Sequence, residues 1–340
     1  MGTFWFTLIG GLLALASSGM ALGAALGLTG FIILEFLAKG ATFVAIDAVW
    51  NVLNSFTLSA IPLFIMLGEI MLRSGISEKI YVALSPVFQR IPGGLLHTNI
   101  AVCTLFGAVS GSSLSTAAAV GSVAYPEMTT RGYDRKMVVG SLAGGGTLGL
   151  LIPPSIILII YGVTVQESIA KLFIAGIIPG IMIALIFMSY VIIWSLINKK
   201  SMPKYVENFS FFEKIRKSKQ LLPVIILISA VIGSIYTGVA TATEAASLGV
   251  VGALILSYFQ KSLTVETFKQ SLLGATKTSC MIAFILAGST FLSLAMGFTG
   301  LPRNLAIWIQ NMELSPYVLI FVLMIFYIIL GMFLDGISAV

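Results

Sequence analysis

The sequence predicts an all-α polytopic membrane protein built on an inverted-topology repeat, with re-entrant helical hairpins and unwound helices. Three observations carry that prediction. Apolar runs recur from end to end: 58% of the 340 residues are hydrophobic, 9% are charged and mean hydropathy is +1.05, against about 25% charged in soluble domains. Residues 102–126 set two apolar arms around a polar knot, Ser110-Gly111-Ser112-Ser113, and each arm is shorter than the roughly 20 residues a crossing needs. A comparable series of elements recurs near the carboxy terminus around Leu334-Asp335-Gly336-Ile337-Ser338.

In chain order, the candidate crossings are 4–18, 20–38, 57–74, 134–163, 168–197, 221–238, 242–259 and 274–297. The first run, Phe4–Ser17, lacks the basic start of a signal peptide, so it reads as a spanning helix. Glu78–Arg90 and Pro302–Gln310 are amphipathic and read as surface helices. Two pieces remain, 94–126 and from about 318 onward, and both read as hairpins. Non-helical backbone at membrane depth is tolerated only where protein or a wet cavity covers it.

Charge gives the orientation. Seven of the nineteen basic residues (Lys199, Lys200, Lys204, Lys214, Arg216, Lys217 and Lys219) crowd into one loop, which the positive-inside rule makes cytoplasmic. Tracing outward puts Arg90, Arg131, Arg135, Lys136, Lys261, Lys269 and Lys277 on the same face, provided that 94–126 enters and leaves on that side. The amino terminus then lies outside. The net charge of +6 is accounted for by this topology, and no nucleic-acid recognition fold accompanies it.

The same trace yields the repeat. Crossing 57–74, surface helix 78–90 and a hairpin from inside are matched by crossing 274–297, helix 302–310 and a hairpin from outside, an inverted-topology arrangement. The expected organisation is 1–56 as spanning helices of a scaffold, 57–197 as the first repeat, 198–220 as the basic loop, and 221–340 as the second repeat. Because the chain stops within the second polar tip, the expectation is that a carboxy-terminal part is missing.

A second interruption lies in Gly144-Gly145-Gly146-Thr147-Leu148-Gly149-Leu150-Leu151-Ile152-Pro153-Pro154-Ser155. Glycine weakens a helix and proline removes a donor and clashes with the preceding turn, so the crossing should unwind and free carbonyl oxygens. Carbonyls and hydroxyls suit a hard cation, here Na⁺. A packing kink is the plainer account, but a polar hairpin tip nearby favours a site. Broken helices of this kind build the sites of secondary transporters.

Among the membrane-embedded acids, Asp335 at the second tip suits a site. Glu244 suits a helix cap, and Glu69 could pair with Arg73 one turn on. No Arg or Lys lies within the hydrophobic depth, so an anionic substrate would need helix dipoles and bound cations as its positive partner. Cys103 and Cys280 are far apart and suggest neither a disulfide nor a metal site. A serine hydrolase at Ser110 or Ser112 lacks a base, since the lone histidine, His97, lies several turns from the tip. A channel fits the paired repeat less well than a carrier does.

These residues resemble the large membrane subunit of tripartite ATP-independent periplasmic (TRAP) transporters. The matching pieces are Ile61-Pro62-Leu63-Phe64 with Gly68-Glu69, Ala108-Val109-Ser110-Gly111-Ser112-Ser113, Ala117-Ala118-Ala119-Val120-Gly121, Arg131-Gly132-Tyr133, Gly149-Leu150-Leu151-Ile152-Pro153-Pro154-Ser155, Thr243-Glu244-Ala245-Ala246 and Gly331-Met332-Phe333-Leu334-Asp335. The resemblance implies a Na⁺-driven importer of small organic anions in a bacterial inner membrane, such as C4-dicarboxylates or sialic acids. It also implies an elevator motion, a small membrane subunit and a periplasmic binding protein. It carries one cation site onto Ser110, Gly111, Ser112, Ser113, Gly145 and Thr147, and a second onto Asp335, Gly336 and Ser338. Substrate is expected at Ser110, Ser113, Thr116, Pro153, Pro154 and Ser155. A departure is Ala21 after Gly19-Met20, where the family usually has proline. The nearest competing reading is a single-component Na⁺/anion symporter.

Overall fold

The computed structural model describes residues 6–38, 42–199, 202–203 and 219–333. Among them there is no strand. A π-helical turn at Phe6–Gly10 leads into α1 (Gly11–Ser17), followed by α2 (Leu22–Ile32) and α3 (Thr42–Leu53). Then come α4 (Ala60–Arg73), α5 (Ile76–Phe88), α6 (Leu95–Ser110), α7 (Ser113–Thr130) and α8 (Arg135–Thr147). A 3₁₀ turn at Leu148–Leu150 and an irregular stretch separate α8 from α9 (Ile156–Val165). The remainder is α10 (Ile169–Ile197), α11 (Leu222–Tyr236), α12 (Ala242–Phe259), α13 (Val265–Phe298), α14 (Leu301–Gln310) and α15 (Pro316–Phe333).

Most expected crossings appear as helices. The 134–163 segment is two helices with the expected break between them. One boundary and one omission need correction: α13 starts at Val265, ahead of the expected 274, and α3 has no counterpart among the expected elements. In α3, Asp47 and Asn51 interrupt an apolar stretch of twelve residues, too short to read as a crossing. Among the described residues, four segments are long and apolar enough to span a bilayer: Phe56–Arg73, Ile169–Ile197, Ala242–Phe259 and Val265–Phe298. Most of the basic loop, 204–218, and the second tip, 334–340, lie outside the described residues.

The chain forms two compact units. One comprises Met1–Leu58 with Lys277–Val340 and the other Ser59–Thr276. In the first unit α2 packs on α13 through glycine. A Cβ on Gly23 would stand 2.5 Å from the Phe284 carbonyl oxygen, one on Gly30 would stand 2.7 Å from the Leu292 nitrogen, and one on Gly288 would stand 2.1 Å from the Gly23 oxygen. Small residues at such spacings let membrane helices approach by backbone contact, where dispersion replaces the absent hydrophobic drive. Leu8, Ile33, Leu34, Ala45, Ala295 and Leu301 form the core of this unit.

In the second unit α4 packs on α12, and α6, α7 and α8 pack together. The α6–α7 pair is a helical hairpin turning at Gly111-Ser112. Its base is tied by the Leu95 N–H, which donates to the Tyr133 hydroxyl (3.0 Å), and by Asn99 Nδ2, which donates to Ser141 Oγ (2.9 Å). Lys79 on α5 donates to Gln260 Oε1 (2.8 Å).

Two helix–helix turns share one local geometry. Gly75 (φ 71°, ψ 17°) joins α4 to α5, and Gly300 (φ 67°, ψ 13°) joins α13 to α14. Both lie in the left-handed region that glycine adopts without steric penalty. Hydrogen bonds repeat with them: Ser74 N–H to Ile70 O and Gly75 N–H to Leu72 O recur as Thr299 to Ala295 and Gly300 to Gly297. The offset is 225 residues (75 to 300), and Arg73 and Phe298, the last residues of α4 and α13, keep it. So do Ser110 and Asp335 at the two polar tips in the sequence.

Replacing Gly288 by leucine is expected to destabilise the protein by roughly 1–3 kcal/mol through overpacking against α2. Gly297→Leu, where an added Cβ meets nothing within 4 Å, should leave the melting temperature nearly unchanged. Thermal unfolding in detergent, followed by intrinsic fluorescence, reads both.

Candidate functional site

The polar tip forms because Gly111 (φ 58°, ψ 11°) ends α6 in the left-handed region and Ser112 starts α7 from extended backbone. Gly111 N–H closes the last turn on Gly107 O (2.8 Å), and Ser112 Oγ accepts from Ser115 N–H (3.4 Å). Behind the tip runs a hydroxyl relay. Ser110 Oγ and Thr116 Oγ1 lie 2.7 Å apart, and Thr116 donates to Ser112 O (2.7 Å). Thr116 is fully buried and Ser110 nearly so.

The second break is built alike. Ser155 is the N-cap of α9, accepting from Leu158 N–H (3.5 Å), and its hydroxyl donates to Leu150 O. Stretch 151–153 rests in a notch on α10. A Cβ on Gly176 would meet Leu151 O at 2.7 Å and Pro153 Cγ at 3.6 Å, and one on Gly180 would meet Ile152 Cγ1 at 2.5 Å.

The two breaks come together, again through glycine. A Cβ on Gly107 would stand 2.5 Å from Gly149 Cα, and one on Gly111 would stand 3.1 Å from Ile156 N. Gly146 faces Ser113 O at 3.1 Å and Gly68 faces Ser110 Cα at 2.8 Å in the same sense. The C-terminal ends of α6 and α8 and the N-terminal ends of α7 and α9 thus meet in one region. Helix C-termini present carbonyl oxygens suited to a cation, and N-termini present amides suited to an anion.

Of the expected site residues, Ser110, Gly111, Ser112, Ser113 and Thr116 are at this junction, with Ser155 at the head of α9. Gly145 sits one turn back against Cys103, where its Cβ would be 3.0 Å from Cys103 Cβ. Thr147 is exposed and donates to Gly144 O (2.7 Å), so its hydroxyl serves its own helix. Pro153 and Pro154 are buried, and Pro153 lies toward α10. Asp335, Gly336 and Ser338 lie outside the described residues. Gly146 and Gly149 belong to the expected break, but their contacts, and the part played by Gly68 and Gly107, were not foreseen from the sequence. The available signal was four-residue spacing, Gly107 to Gly111 and Gly145 to Gly149, a small-residue packing pattern.

The other embedded polar groups are structural. Arg73 Nε donates to Glu69 Oε2 (2.9 Å), and a Cβ on Gly274 would lie 2.5 Å from that oxygen. Glu244 completes a capping box with Thr241. His97 Nε2 lies 2.8 Å from Pro92 O, and at 1.5 Å per residue it is about 20 Å along α6 from Ser110, too far to serve as its base.

Apolar helices interrupted at convergent polar ends define a multi-pass membrane protein with an internal polar junction. Residues 9–340 match the family described as the tripartite ATP-independent periplasmic transporter, DctM component. A Pseudomonas aeruginosa protein named C4-dicarboxylate TRAP transporter large permease protein DctM is 32% identical, over 91% of this chain and 72% of its own length. The sialic acid TRAP transporter large permease protein SiaM of Vibrio cholerae is 32% identical over 96% and 76%. The ectoine/5-hydroxyectoine TRAP transporter large permease protein UehC of Ruegeria pomeroyi is 34% identical over 84% and 66%. The chain belongs to the DctM family of TRAP transporter large permeases.

Thr116→Val removes the donor to Ser112 O and leaves Ser110 Oγ without its nearest partner. The expected loss is about 1–3 kcal/mol, read as a lowered melting temperature, with Thr116→Ser restoring most of it.

Proposed function

We propose that the chain is the membrane-spanning transport subunit of a Na⁺-coupled importer of small organic anions in a bacterial inner membrane. The observation that supports it best is the meeting of two interrupted helices, with Gly107 against Gly149 and Gly111 against Ile156. Carbonyl ends there would hold Na⁺, and amide ends with the bound cation would hold a carboxylate. In this reading, the cation set is Ser110, Gly111, Ser112, Ser113 and Gly145, with Asp335, Gly336 and Ser338 of the second tip. Thr147 would contribute through its carbonyl. The substrate would meet Ser110, Ser113, Thr116 and Ser155, with Pro153 and Pro154 shaping the break.

Substrate would arrive from a periplasmic binding protein, and a small membrane subunit would complete the transporter. The three relatives' names specify C4-dicarboxylate, sialic acid and ectoine or 5-hydroxyectoine. Each carries a carboxylate, which suits capture by helix dipoles. The basic loop around 199–220 would be cytoplasmic and the amino terminus periplasmic. The hairpin α6–α7 would dip into the bilayer without crossing, and the site would move past a fixed scaffold as an elevator. A single-component symporter is the weaker reading, because the family is tripartite.

The test is uptake of labelled carboxylates by vesicles holding the chain with its small subunit, supplied with binding protein outside. Accumulation is expected only under an inward Na⁺ gradient, and undiminished uptake with choline in place of Na⁺ would refute the coupling. Gly111→Ala forces a side chain into the left-handed region at roughly 1–2 kcal/mol. It should therefore raise the Na⁺ concentration for half-maximal uptake about tenfold.

A further inference from the structure

Between α8 and α10 lies a cavity of about 620 Å³, within the roughly 300–1,000 Å³ usual for ligand sites. Its walls are Gly140 and Gly144 of α8 and Phe187, Tyr190 and Trp194 of α10, with Ile100 of α6 behind. The space narrows along α8: a Cβ on Gly140 would meet nothing within 4 Å, while one on Gly144 would touch the Phe187 ring at 3.4 Å. Charge sits at the wide end only, on Asp134 and Lys136. From Asp134 to Gly144 is about 15 Å along the helix axis.

We propose that this slot binds a phospholipid with an ethanolamine headgroup, one acyl chain lying along Gly140 and Gly144. Lys136 receives the phosphate and Asp134 the primary ammonium. A long apolar slot with charge at one end matches an amphiphile, and Tyr190 and Trp194 beside a lysine are the residue types of the bilayer interface. The headgroup class follows from the pair of opposite charges two residues apart. A net-anionic headgroup meets the Asp134 carboxylate, and a quaternary ammonium offers that carboxylate no N–H. Asp134 Oδ1 already accepts from Met137 N–H (3.0 Å), which fixes the carboxylate at the mouth. Occupancy would brace α8, which backs directly on the hairpin through Gly145 and Cys103. This inference needs only that the chain is membrane-embedded and is independent of Na⁺ coupling.

The test uses the full chain with Trp5, Trp50 and Trp308 changed to phenylalanine, so that Trp194 alone reports. It is reconstituted in phosphatidylcholine vesicles doped with chain-brominated phosphatidylethanolamine, phosphatidylglycerol or phosphatidylcholine. Brominated phosphatidylethanolamine is expected to quench Trp194 at about fivefold lower mole fraction than brominated phosphatidylcholine, the equivalent of roughly 1 kcal/mol. Lys136→Gln, and Asp134→Asn, which keeps an N-cap oxygen, should each abolish that preference. Gly140→Leu should remove the enhanced quenching by filling the slot. Equal quenching by all three lipids, strongest quenching by phosphatidylglycerol, no quenching by any of them, or a preference that survives Lys136→Gln in a folded variant would each overturn the assignment.

Discussion

Backbone amides and carbonyls left open inside an apolar medium are costly, by several kcal/mol each, and this chain opens its backbone twice in one unit. The tip at Gly111-Ser112 and the turn at 148–155 persist because each is enclosed by protein and capped by its own serine. Ser112 and Ser155 cap the helices that restart, and the Ser110–Thr116–Ser112 relay returns hydroxyls to the main chain. Enclosure requires that backbone touch backbone, which is why glycine occupies Gly68, Gly107, Gly146 and Gly149. The polar chemistry of the junction therefore depends on an absence of side chains.

The same economy of side chains recurs beyond the junction. Gly176 and Gly180 seat the irregular stretch on α10, and in the other unit Gly23, Gly30 and Gly288 seat α2 on α13. Membrane helices gain little from excluding water from one another, so close packing has to supply the attraction. Gly274 applies the rule to a charge, giving the Glu69 carboxylate room beside Arg73.

Much of this was legible in the sequence, for identifiable reasons. Ser110-Gly111-Ser112-Ser113 within an apolar run and Ile152-Pro153-Pro154-Ser155 within another can only be interruptions, and both are. Thr241-Ala242-Thr243-Glu244 carries the spacing of a capping box. What could not be read is which face a hydroxyl takes. Thr147 looks like a ligand in sequence, yet its Oγ1 donates to the carbonyl three residues back, an option open to any helical threonine. Partner choice among glycines was equally hidden, since spacing identifies a packing stripe but not the helix that fills it. The short helix α3 escaped because polar residues break its apolar run.

The matched elbows at Gly75 and Gly300 set a count. Thirty-five residues of sequence separate Gly75 from Ser110, and the same number separate Gly300 from Asp335. In an α-helix each residue advances the chain by 1.5 Å and about 100° of rotation. Loss or gain of one residue inside α6 would thus swing Ser110 to another side of its helix, with little change in depth. The spacer acts as a ruler for angular phase, and the turn into α6 is itself fixed, with Gly93 and Gly94 at positive φ packed against Val191 and Tyr133.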